Sequence, residues 1–248
     1  MRLNLTGPPR QPVFVYSIAF INVILWILLE ISGNSTNPSS LRKFGAIDSY
    51  LIWSGEYWRL VSAIFLHVGA SHLAINSISL VIMGGMTERL YGHRNFITIF
   101  LVTGIIGSTI SYLNIENGVV GAGASGAIFG CLGSLVSFFY IRKKILGKSG
   151  KQTLNGLIIL ALVNLAFGFV IPAVDNWAHI GGFIAGISSG YFLAYRPRTA
   201  QPSHRLQIPN IGQNTRLPLL IFFAVSLIIS LLAIGNSIYE PAKVFPVF

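Results

Sequence analysis

The chain has 248 residues, of which 53% are hydrophobic and only 10% charged, against roughly 25% charged in ordinary globular proteins. Such a composition cannot cover a water-facing surface, which argues against a sizeable soluble domain. The net charge of +10 does not mark a nucleic-acid binder either, because no basic patch interleaved with aromatics accompanies it.

Taken in chain order, uncharged apolar stretches fall at 13–29, 60–87, 95–115, 117–141, 154–174, 176–195 and 217–239. Each is near or above the roughly 20 residues a helix needs to cross a bilayer core. In lipid the backbone must satisfy its own hydrogen bonds, so helices are the expected form. The predicted fold class is all-α, a polytopic bundle of seven spans. The domain reading is a six-helix core over 1–195 with a short N-terminal segment. A linker at 196–216 and an extra C-terminal helix with its tail at 217–248 follow.

With the N-terminus in the cytoplasm, the cytoplasmic segments hold 13 of the 17 basic residues and one acid, Glu88. That asymmetry is the positive-inside pattern, and it predicts N-in, C-out. The expected location is a plasma or inner membrane, crossed several times. The first apolar run is longer than a typical signal-peptide core and lacks a small-x-small cleavage site, so it reads as an anchor. The segment 32–59 opens with turn formers (Gly33, Asn34, Asn37-Pro38) and becomes aromatic at Phe44, Tyr50, Trp53, Tyr57 and Trp58. It is expected to lie at the outer headgroup level. Cys131, within the fourth span, reads as a buried packing thiol.

Two spans carry glycine stripes: Gly126, Gly130 and Gly133 in the fourth, and Gly182, Gly186 and Gly190, four apart, in the sixth. Small residues at this spacing let two helix backbones approach closely. Both spans run outside to inside, so a meeting of the two faces places their starts at one depth. Ser125 precedes the first stripe, in Gly123-Ala124-Ser125-Gly126, and His179 lies three residues before Gly182. A serine hydroxyl becomes a nucleophile when an imidazole takes its proton. His72 and Asn76, at i and i+4 on the outer part of the second span, share a helix face and suit a developing oxyanion.

Other hydrolase chemistries lack their residues. There is no His-Glu-x-x-His string, both aspartates (Asp48 and Asp175) fall in outer loops, and every lysine lies outside the spans. Asp175 reads as a solvated loop charge, leaving a Ser-His dyad. His67, His93 and His204 read as interfacial. No cofactor or metal is called for. The rival reading is a non-enzymatic scaffold or chaperone that binds transmembrane helices.

From Tyr57 to Tyr195 the chain resembles the rhomboid family of intramembrane serine proteases. The strings that carry the resemblance are Trp58-Arg59, His72-x-x-x-Asn76, Glu88-Arg89, Gly123-Ala124-Ser125-Gly126 and Ala178-His179-x-x-Gly182-x-x-x-Gly186. The resemblance implies Ser125 as nucleophile and His179 as general base. It implies His72, Asn76 and the backbone at Gly123 and Ser125 as oxyanion or substrate stabilisers. Trp58 and Arg59 would hold the first outer loop, while Glu88, Arg89, Gly126, Gly182 and Gly186 would be structural. Implied substrates are single-span membrane proteins, cut in or near the outer boundary of their transmembrane segment. An extra helix after the core resembles the six-plus-one members.

Overall fold

A computed structural model describes residues 11–116, 118–171 and 173–194, with Ala224, Val225, Leu227, Ile228, Leu231, Leu232 and Gly235 beyond them. The elements in chain order are α1 (Val13–Gly33), α2 (Pro38–Phe44), α3 (Ser49–Trp53), α4 (Arg59–Ser62), a 3-10 turn (Ala63–Phe65) and α5 (Gly69–Ser79). A π turn (Leu80–Gly84) leads into α6 (Gly85–Tyr91), and α7 (His93–Asn114), α8 (Ser125–Val170) and α9 (Asn176–Ala194) complete the series. The fold is all-α, and the described residues contain no strand beyond one isolated bridge, Ile47 with Gly121. Val13–Gly33, Gly69–Tyr91, His93–Asn114 and Ser125–Val170 are long and apolar enough to cross a membrane.

Helix α8 contains two of the predicted spans. Leu135 and Leu157 belong to one buried cluster, yet a straight helix would hold them about 33 Å apart at 1.5 Å per residue. The chain therefore doubles back, at Gly147, whose φ of 60° and ψ of −141° interrupt the helix. The linker at 196–216 lies outside the described residues, as does most of the seventh span at 217–239. Of the latter's described positions, Ala224 packs with Ile106 and Ala185.

Two predicted spans begin later than their apolar runs do. The stretch from 60 is split: α4 and the 3-10 turn end at Phe65, and Leu66–Val68 is extended before the long helix starts at Gly69. The stretch from 117 becomes helical only at Ser125. Both exceptions are made by tertiary hydrogen bonds. Gly121 exchanges two backbone bonds with Ile47, at 2.8 and 3.0 Å, and Gly123 N–H donates to the Ala63 carbonyl at 2.9 Å. Arg42 Nη2 adds a 2.7 Å bond to the Gly118 carbonyl.

The segment between α1 and α5 is folded rather than loose. Asn37 caps α2 and Asp48 caps α3. Buried Arg59 donates from Nη1 to the carbonyls of Arg42 (2.7 Å) and Ala46 (3.1 Å) and pairs with Glu56. Its guanidinium lies 4.8 Å from the Trp58 ring centroid. Trp58 in turn covers Gly45, where any Cβ would strike the indole.

At the opposite end of the bundle, Glu88 is completely buried. Its carboxylate accepts the N–H groups of Phe14 (3.1 Å) and Val15 (3.0 Å) and lies 2.5 Å from His93 Nδ1. A side chain 73 residues away thus caps α1, where the helix dipole favours negative charge. His93, expected at the interface, is half exposed and closes this cluster. Glu88→Ala is expected to lower unfolding stability by about 3 kcal/mol, since it orphans the buried N–H of Val15 and the part-buried one of Phe14. The unfolding midpoint in detergent measures it; an unchanged midpoint would contradict the capping role.

Candidate active site

Helices α8 and α9 form the most extensive helix pair, and the glycine stripes are their contact. A Cβ on Gly182 would meet the backbone of Gly126, one on Gly186 that of Gly130, and one on Gly190 that of Ser134. The sequence pairing is thus shifted by one position at its far end. Gly133 instead faces the backbone of Phe183 and Ile187. This backbone-to-backbone approach sets the starts of the two helices side by side. Beside Ser125, a methyl group on Gly126 would meet the Ala178 carbonyl oxygen at 3.2 Å.

Ser125 is the first residue of α8, where unpaired N–H groups and the helix dipole favour a nearby negative charge. It is partly exposed and lines a small recess with Gly123, Ser108, Asp175 and Ala178. Gly123 has a φ of +144°, in the region glycine enters freely and other residues rarely do. A methyl group there would lie 3.0 Å from His72 Nε2 and 3.8 Å from Ser125 Oγ. His72 Nε2 and the serine hydroxyl therefore flank a single point beside Gly123. Asn76, also buried, donates from Nδ2 to the His72 carbonyl at 3.0 Å.

His179 is buried and stacks on Phe129, with centroids 4.2 Å apart and planes 12° from parallel. Phe129 escaped the sequence reading; it lies four residues after Ser125, one helical turn along the same face. His179 Nδ1 is buried and meets no hydrogen-bond partner among the described residues.

Two expectations are corrected. Asp175 is not a free loop charge: its carboxylate accepts from the Ser111 hydroxyl and, at 2.9 Å, from Ala178 N–H. Caps at a helix start recruit such residues, and here the carboxylate binds α7 to α9. His67 is not interfacial; it is fully buried, edge-on to His72 at 5.3 Å. The extended segment Leu66–Val68 turns it inward, a break that local hydropathy does not signal. His204 lies outside the described residues.

The sequence profile of the Rhomboid domain matches residues 54–196. The chain belongs to the rhomboid family. It is similar to rhomboid protease GluP of Bacillus subtilis (strain 168), 42% identical over 71% of this chain and 34% of that protein. It is also similar to RHOMBOID-like protein 5 of Arabidopsis thaliana, 41% identical over 64% of this chain and 51% of the relative. The putative rhomboid protease YdcA of Bacillus subtilis (strain 168) is 28% identical over 71% of this chain and 85% of its own length. The chain thus spans between a third and a half of the length of the first two relatives. Family membership and apolar helices of spanning length make this rhomboid an integral membrane protein.

Proposed function

We propose that this rhomboid is an intramembrane serine endopeptidase that cleaves single-span membrane proteins in or near their transmembrane segment. Ser125 is the nucleophile and His179 the general base. His72 Nε2, Asn76 and the backbone N–H of Ser125 receive the oxyanion, while Gly123, its own N–H held by the Ala63 carbonyl, leaves room for the substrate beside them. The observation that carries this reading is that His72 Nε2 and Ser125 Oγ both border Gly123, 3.0 and 3.8 Å from where a Cβ on that residue would stand. A substrate carbonyl lying against the bare face of Gly123, between the two, meets a nucleophile on one side and a donor on the other.

The chemistry follows from those groups. Ser125 Oγ attacks the carbonyl carbon as its proton passes to His179. The tetrahedral oxyanion is held by the donors, and collapse expels the amine with the proton that His179 returns. Water, deprotonated by the same imidazole, then releases the acid product and restores Ser125. The Asp175 carboxylate is committed to Ser111 and Ala178, so a dyad suffices, with Phe129 holding the imidazole plane. By the basic-residue asymmetry, the N-terminus is cytoplasmic and the site lies toward the outer leaflet of a plasma membrane. Residues 1–195 are the catalytic core, with 196–216 a linker to an accessory helix.

The test is incubation of purified protein with a single-span substrate in liposomes, alongside fluorophosphonate labelling. Cleavage within the span and stoichiometric labelling are expected; a chain that does neither is not a hydrolase. Asn76→Ala is expected to slow turnover by roughly 100- to 1000-fold, the usual effect of losing one oxyanion donor. Turnover per labelled site reports it, and unchanged turnover would remove Asn76 from the oxyanion site.

A further inference from the structure

Helix α5 presents His72 and Asn76 from its first two turns, yet its own start is uncapped. The N-cap residue is Val68, whose side chain can accept nothing. The missing acceptor comes from Ser35, in the turn after α1, 34 residues earlier: Gly69 N–H donates to Ser35 Oγ at 3.2 Å. Ser35 is completely buried. Its hydroxyl also accepts from Trp26 Nε1 at 3.1 Å and donates to the Glu30 carboxylate. A serine hydroxyl offers one donor and two acceptor positions, and all three are filled.

The turn around Ser35 is held independently. Asn34 Oδ1 accepts both the N–H and the hydroxyl of Thr36, each at 2.8 Å. The Thr36 methyl carbon comes within 3.5 Å of where a Cβ on Gly69 would stand. A rigid turn at the end of α1 therefore grips the peptide that starts α5.

That grip bears on His72. Val68 N–H, one residue before Gly69, points at His72 Nδ1 at 3.4 Å. An imidazole that accepts at Nδ1 carries its proton on Nε2, the nitrogen beside Gly123 and Ser125. We infer that Ser35 is a positioning residue: by holding the Val68–Gly69 turn it keeps His72 in the Nε2–H tautomer and aims that donor at the reacting carbonyl. The inference rests on the protease reading for its kinetic consequence. Its structural content, a tie from Ser35 to the His72 ring, is independent of any reaction.

The experiment uses the full chain in detergent, with nitrogen-15 histidine and the His72 signal assigned by its loss in His72→Ala. The wild type should show one neutral His72 tautomer, protonated at Nε2, and Ser35→Ala should move that signal toward a mixture. In turnover, Ser35→Ala should lower kcat by about tenfold with KM within about twofold, as for a donor misaligned only in the transition state. In a His72→Ala background the same substitution should change kcat by less than about twofold. An unmoved His72 signal, or an undiminished kcat loss in the His72→Ala background, overturns the inference. A wild type that cleaves nothing, while its His72 signal responds to Ser35→Ala, sinks the protease reading and upholds the positioning. Should Ser35→Ala fail to fold, Glu30→Gln, of the same shape, is read by the same signal. A shift in the same direction supports the tie, and no shift overturns it.

Discussion

Ser125→Ala is expected to abolish fluorophosphonate labelling and to reduce substrate cleavage by about a million-fold, the loss seen when a hydrolase nucleophile is removed. The size follows from the division of labour. Without the hydroxyl no acyl-enzyme forms, and the oxyanion donors can only assist direct attack by water. Ser108 is the informative control, because it lines the same recess from α7 but is buried in the middle of that helix. Ser108→Ala should retain labelling. The unfolding midpoint of Ser125→Ala should stay near the wild-type value, since a partly exposed hydroxyl holds little of the fold. Labelling that survives Ser125→Ala and disappears in Ser108→Ala would transfer the nucleophile to α7 and dismantle the proposed geometry.

Gly182→Ala, like Gly186→Ala, should be among the most destabilising additions of a single methyl group to the core. The added carbon lands on the Gly126 carbonyl, a backbone atom that cannot rotate aside. Helices α8 and α9 must separate, at a cost near the upper end of the 1–3 kcal/mol range for overpacking. Because His179 lies one turn before Gly182, the same separation draws it from Ser125, and turnover should fall with stability. Gly156→Ala supplies the contrast, as nothing lies within 4 Å of its Cβ position. That substitution should be neutral or stabilising by up to about 1 kcal/mol, since alanine is the better helix former. Equal unfolding midpoints for Gly182→Ala and wild type would mean that the two glycine faces do not touch.

The sequence alone determined whatever depends on local repetition. Apolar run length predicts an all-α membrane bundle, because a bilayer permits few other forms for an uncharged backbone. Glycines four apart predict the close pairing of α8 with α9, because that interval places small residues on one helix face. Ser125, His179, His72 and Asn76 stand out as polar groups set in apolar surroundings, where polarity needs a reason. Phe129 was within reach by the same i, i+4 rule applied forward from Ser125.

What the tertiary structure decided is where the chain departs from its own hydropathy. Residues 66–68 and 118–124 belong to the same apolar runs as the helices they adjoin. They leave the helix because distant groups satisfy their backbone: Ile47 pairs with Gly121, Ala63 receives Gly123 N–H, and Ser35 receives Gly69 N–H. His67 is buried, Asp175 binds Ser111, and Glu88 caps α1 through contacts between residues far apart in the chain. Hydropathy and helical periodicity are sums over neighbours in sequence, so they register which segments enter the membrane. A hydrogen bond between residues 34 or 73 positions apart depends on how the helices are arranged, and that arrangement exists only once the bundle has assembled.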